Sequence, residues 1–170
     1  MIPSAKVTRE IQIHAKYNGE VNAPGIILRP AHERDVPGMF HVRTSVKENL
    51  LTLQQMRLMG ITPETVAASL TKDSKAWVAE DRKTIVAFSI ADRAAGSIFA
   101  LFVLPEYEGH GLGTRLLEMA VAWLTENGAK RIWLTTAPKT RALAFYRRNG
   151  WTCARIEKNG ELRLEFQAVG

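Results

Sequence analysis

The chain has 170 residues with no linker, repeat or low-complexity tract, a length that suits a single domain with a real core. Its formal net charge is +6, and its longest apolar stretches, around Ile98–Leu104 and Leu116–Leu124, are too short or too interrupted to cross a bilayer. With no charged-then-apolar opening and one cysteine, Cys153, the expectation is a soluble cytoplasmic protein without an internal disulfide, Cys153 being packed on a strand.

Residues 1–25 alternate weakly at Ile11 and Ile13 and break at Asn22-Ala23-Pro24-Gly25, so they read as an N-terminal extension of no assigned role ahead of one domain over 26–170. Ile26-Ile27-Leu28 predicts a strand. A helix is expected from Asp35, a good cap, with Pro37 in its first turn and Met39, Val42 and Val46 inward. Leu51–Met59 predicts a second helix stopped by Gly60, and Thr62-Pro63 opens a third that turns Val66 and Leu70 inward. Three strands follow over Ala76–Glu80, Thr84–Ala91 and Ser97–Leu104, and their short connections make them antiparallel. From Leu112 the spacing Leu112, Leu116, Leu117, Ala120, Leu124 lays one apolar stripe on a helix that ends at Asn127-Gly128. A strand over Arg131–Ala137 and a helix over Thr140–Asn149 come next. The last pair, Trp151–Ile156 and Glu161–Phe166, forms a hairpin across Asn159-Gly160. This order gives an α/β fold around a mixed sheet.

Between the third of those strands and the long helix lies Val103-Leu104-Pro105-Glu106-Tyr107-Glu108-Gly109-His110-Gly111-Leu112-Gly113-Thr114, with glycine at every second position near its end. Glycines let a ligand approach the backbone, and the first helical turn adds unpaired amides and the positive end of the dipole, so the loop suits a diphosphate. Gly113 is followed by Thr114-Arg115 rather than Lys-Ser or Lys-Thr, which excludes a Walker nucleotide site; Gly-x-Gly-x-Gly late in the chain is not a dinucleotide fingerprint. Between Ala129 and Gly150 stand Lys130, Arg131, Lys139, Arg141, Arg147 and Arg148 with no acid. No helix-turn-helix, zinc finger or aromatic RNA-binding signature accompanies them, so the cluster points to a small polyanion and not to nucleic acid. His14, His32, His41 and His110 lack metal-ligand spacing, and no metal site is predicted.

Glu108-x-x-Gly111-x-Gly113 resembles the Gln/Arg-x-x-Gly-x-Gly/Ala motif of the GNAT superfamily of N-acetyltransferases. Ala142-x-x-Phe145-Tyr146-x-x-x-Gly150-Trp151 resembles its second signature, and the two occur in the right order with one helix and one strand between them. The resemblance covers about residues 26–166. It implies a mixed, mostly antiparallel sheet flanked by helices, splayed between the fourth and fifth strands. It also implies acetyl-CoA as cosubstrate and a primary amine, small molecule or peptide, as acceptor, attacking directly in a ternary complex. The alternatives are a transferase for another acyl-CoA and a non-catalytic acyl-CoA-binding module.

By the same resemblance Leu101, Phe102 and Val103 lie along the pantetheine arm, and the backbone at Val103 meets the thioester oxygen. Glu108, Gly109, His110, Gly111, Leu112, Gly113 and Thr114 surround the diphosphate, with Arg115, Lys139 and Arg147 available to phosphates. Tyr146 is the expected general acid toward the leaving sulfur. For the base, Asp92 and Glu48 are the nearest carboxylates by topology. The acceptor is set by Arg43, Lys47, Glu48 and Asn49 and by Trp133 and Thr136, whose mixed character favours no charge type; Phe102, Trp133 and Thr135 are expected around the acyl group. Dimerisation, common among relatives, is a role open to residues 1–25. Two departures stand out. Glu108 replaces Gln or Arg, so its carboxylate is expected to turn outward from a diphosphate, and Lys139 stands where Asn is frequent.

Overall fold

Seven strands form one sheet in the order β1-β2-β3-β4-β5-β7-β6 in a computed structural model that describes residues 25–70 and 73–168. They are β1 (Ile26–Pro30), β2 (Ser74–Asp81), β3 (Thr84–Asp92), β4 (Ser97–Val103), β5 (Arg131–Thr136), β6 (Thr152–Ile156) and β7 (Leu162–Gln167). The helices are α1 (Val36–Ser45), α2 (Leu53–Leu58), α3 (Pro63–Ser69), α4 (Leu112–Glu126) and α5 (Arg141–Arg148). All neighbours pair antiparallel except β4 and β5, which run parallel. The expected extension, Gly25 apart, lies outside the described residues.

Alternation along β3 and β4 decides which helix covers which face. Trp77, Ser89 and Leu101 share register, and this face carries α4: Ser89 Oγ donates to the Leu116 carbonyl at 3.3 Å, and Trp77 meets the Trp123 ring edge-on at 5.9 Å. Phe88 and Phe102 share the other face, where the Arg43 guanidinium of α1 lies 4.4 Å from the Phe102 ring centre. A central strand covered on both sides must be apolar throughout, and every β3 residue from Ile85 to Ala91 is buried, Ser89 included. The α4 stripe read from the sequence, Leu112, Leu116, Leu117, Ala120 and Leu124, is buried in full, as are Met39 and Val42 of α1.

Four local expectations change. Asp35 stands at the N-cap of α1 but does not cap it; its carboxylate accepts two hydrogen bonds from Arg29 on β1, at 2.7 and 2.8 Å, and one from the His32 amide at 2.7 Å. A charged bidentate donor outcompetes a neutral helix amide. Val46 falls past the end of α1 and is only half-buried. Cys153 is on a strand but exposed, because β6 is the outermost strand and all five of its residues are exposed. The second helix is shorter than predicted, held at its start by a capping box between Thr52 and Gln55. No helix among the described residues is long and apolar enough to cross a membrane.

Candidate active site

β4 and β5 run parallel but meet at a single pairing, Ser97 with Trp133, supported by the Trp133 amide on the Gly96 carbonyl at 3.1 Å. Beyond it they part. The β4 edge from Leu101 to Val103 faces a cleft of about 520 Å³ instead of a neighbouring strand. An open edge of this kind offers its backbone donors and acceptors to an extended ligand. The cleft walls are β4, the loop after it, Thr135 and Thr136 of β5, Phe145 and Tyr146 of α5, and the segment Val46–Asn49 that follows α1.

The glycine loop leaves β4 through a short 3-10 turn, Pro105–Tyr107, tied to the end of β2 by Tyr107 Oη donating to Asp81 at 2.7 Å. That hydrogen bond pushes the Tyr107 phenol above its ordinary pKa, so the tether stays protonated at neutral pH. Gly109 and Gly111 have φ of +78° and +82°, the left-handed region that favours glycine, and a Cβ on either would meet nothing within 4 Å. From Gly109 through Thr114 no backbone N–H donates to a described residue; the first amide paired in α4 is that of Arg115, on the Gly111 carbonyl at 3.1 Å. Open space over a run of unpaired amides at a helix N-terminus is a cradle that fits a diphosphate. Gly113 serves packing: its Cβ position lies 3.5 Å from the Phe145 ring and 3.8 Å from Val103, which draws α4, α5 and β4 together.

Tyr146 lines the cleft from α5, 7% exposed, with its ring between Phe145 and Trp151 at 5.2 and 6.0 Å. Its hydroxyl has no hydrogen-bond partner among the described residues, and burial pushes its pKa up, so it stays a proton donor across the physiological range.

Most of the expected residues come together: Leu101, Phe102, Val103, Glu108, Gly109, Gly111, Leu112, Gly113, Thr114, Tyr146 and Glu48 all line the cleft. Others stand apart. His110 turns its Nδ1 to the Tyr107 carbonyl at 3.2 Å, Arg115 pairs with Glu118 at 3.2 Å along α4, and exposed Lys139 takes a left-handed φ of 58° in the turn before α5. Arg147 points away from the cleft while its neighbour Arg148 lines it, as the 100° step between helical neighbours requires. Asp92 belongs to the β3–β4 turn, where it accepts from the Ala95 amide at 3.0 Å, and it does not line the cleft.

Arg141, also in the lining, is the residue whose part the sequence did not reveal. Its guanidinium donates to Glu108 at 2.8 Å and lies 3.6 Å from Glu48, and its backbone amide donates to Glu48 at 3.1 Å. The Glu108 side chain is exposed, and its carboxylate turns to this cation. Among the described residues no group of three His, Cys, Asp or Glu could hold a metal ion.

Residues 48–151 match the model of the Acetyltransferase (GNAT) family, and the chain belongs to that family. An uncharacterized N-acetyltransferase of Archaeoglobus fulgidus is 40% identical over 62 residues, which is 35% of this chain and 42% of that protein. The fold is similar to that of PaiA N-acetyltransferase from Thermoplasma acidophilum, solved in complex with coenzyme A, with a TM-score of 0.72 at 16% identity over 84% of this chain and 99% of that one. It is also similar to the ribosomal-protein-S18-alanine N-acetyltransferase of Escherichia coli, with a TM-score of 0.65 at 18% identity over 85% and 96% of the two chains.

Proposed function

We propose that the protein transfers an acetyl group from acetyl-CoA to a primary amine by direct attack within a ternary complex. The observation that carries this reading is one cleft that joins an open strand edge, a cradle of unpaired amides and a buried phenol. Coenzyme A thioesters supply an activated acyl carbon. The residues of this chain bind and aim it. The amides from Gly109 to Thr114 take the diphosphate, the β4 edge takes the amide-bearing arm as an added strand, and a backbone N–H at or beside Val103 stabilises negative charge on the thioester oxygen.

Tyr146 then donates its proton, or a hydrogen bond, to the departing thiolate. A buried phenolate is costly, so hydrogen-bond donation with late transfer suits this site better than early ionisation. The acceptor enters past Val46–Asn49. Its ammonium must lose a proton before attack, and Glu48 is the expected carboxylate that lines the cleft, whereas Asp92 does not. Cys153 stands on the edge strand β6 and does not line the cleft, which supports direct transfer over a cysteine-bound acyl intermediate.

The test is thiol release from acetyl-CoA across a panel of amines. Release with an amine and none without it supports the reading; no release with any amine, and no binding of coenzyme A by calorimetry, overturns it. Tyr146→Phe is expected to lower kcat about 100-fold with coenzyme A affinity preserved, in the usual range for loss of a general acid. Unchanged kcat would remove Tyr146 from the chemistry.

A further inference from the structure

Arg141 stands at the mouth of the cleft between carboxylates from two distant segments. Its Nη1 and Nη2 reach the Glu108 carboxylate at 2.8 and 3.5 Å, and its Nε faces Glu48 at 3.6 Å. All three guanidinium nitrogens are thus directed at carboxylates. Glu108 opens the loop whose amides are unpaired, so its charge lies where a diphosphate would arrive. A bare carboxylate there repels a dianion, and the field is screened less in a cleft than in bulk water. A cation held against the carboxylate cancels most of that field beyond the separation of the pair.

We propose that Arg141 is a positioning residue for coenzyme A: it neutralises and turns aside Glu108, so that the loop accepts a diphosphate despite the carboxylate at its first position, and it does not itself ligate the phosphates. The inference rests on coenzyme A being the ligand of the cleft. It accounts for a pairing that the basic run around Arg141 conceals, because Glu108 and Glu48 lie 33 and 93 positions earlier in the chain.

Calorimetric titration of coenzyme A at low ionic strength tests it on four proteins: wild type, Arg141→Gln, Glu108→Gln and the double variant. Arg141→Gln is expected to weaken binding about tenfold, the scale of one uncompensated charge at a partly screened site. Glu108→Gln should bind at least as tightly as wild type, and the double variant should return to within about twofold of it, since both charges are gone. Arg141→Lys, which keeps a cation, should retain most of the affinity. Dephospho-coenzyme A keeps the diphosphate and should show the same loss in Arg141→Gln, whereas pantetheine, which carries no phosphate, should show none.

An unweakened Arg141→Gln overturns the inference alone. So does a double variant as weak as Arg141→Gln, because Arg141 would then act on the ligand directly or through the fold. A loss seen with coenzyme A but not with dephospho-coenzyme A would place Arg141 at the 3′-phosphate and overturn it too. Wild-type protein that binds no coenzyme A would instead overturn the proposed function on which the inference rests.

Discussion

Two arginines in this molecule each sit between two carboxylates, and they do different work. Arg29 of β1 joins Asp35, before α1, to Glu80 on β2, and its partners are 6% and 22% exposed around a guanidinium that is 21% exposed. Arg141 joins Glu108 and Glu48 with its side chain 65% exposed. The first cluster pins a helix start to the sheet; the second spans the mouth of a cleft. What separates them is water, because a pair removed from solvent cannot lose one member without leaving a buried charge, whereas an exposed pair can.

That contrast is broken most directly by Arg29→Ala. It leaves the Asp35 carboxylate with the His32 amide as its only remaining hydrogen bond among the described residues, and we expect a loss of about 3 kcal/mol in unfolding free energy by urea titration. Arg141→Ala should cost less than about 1 kcal/mol in the same measurement. Equal losses would mean that the two clusters play the same part.

Acid sharpens the comparison. The Arg29 hydrogen bonds hold the Asp35 carboxyl below its ordinary pKa, against the opposing effect of burial. A carboxyl with a depressed folded pKa contributes stability above its unfolded value, about 3.9, and that contribution is lost as pH falls through the folded value. The stability gap between wild type and Asp35→Asn should therefore be full at neutral pH and narrow below about pH 4. A gap that widens in acid would reverse the assignment.

How far the sequence foretold these two clusters depends on the range of the contacts that build them. Local periodicity located the stripe of α4 and glycine spacing the loop, while Tyr146 was found through the resemblance of Ala142–Trp151 to the family's second signature, because each of these is written within one helix or one loop. The cluster around Arg29 was not legible, since Glu80 lies 51 positions away and Asp35 read as a helix cap. Arg141 was visible only as one member of a basic run, and its two carboxylates approach from other elements. The same limit misplaced Cys153: an apolar neighbourhood in sequence cannot tell a central strand from an edge strand, and strand order is fixed by pairing across the sheet. Arg147 and Arg148 were equivalent by charge, and the phase of α5 against the cleft separates them.

Asp92 supplies the weakest and most discriminating case, a carboxylate with no arginine partner among the described residues and no place in the cleft. Its Oδ1 accepts the Ala95 amide in the β3–β4 turn, the ordinary role of an Asx residue at such a corner. Asp92→Asn keeps an acceptor oxygen and should change neither stability nor the pH dependence of kcat/KM; Asp92→Ala removes it and should cost about 1 kcal/mol with turnover unaltered. Glu48 is the counterpart that lines the cleft, and Glu48→Gln should move the acid limb of kcat/KM if it takes the proton of the incoming ammonium. An acid limb that moves with Asp92 and stays with Glu48 would exchange their roles. A limb that moves with neither would leave the proton to water, and exposure alone, 41% at Glu48, supplies a route for it.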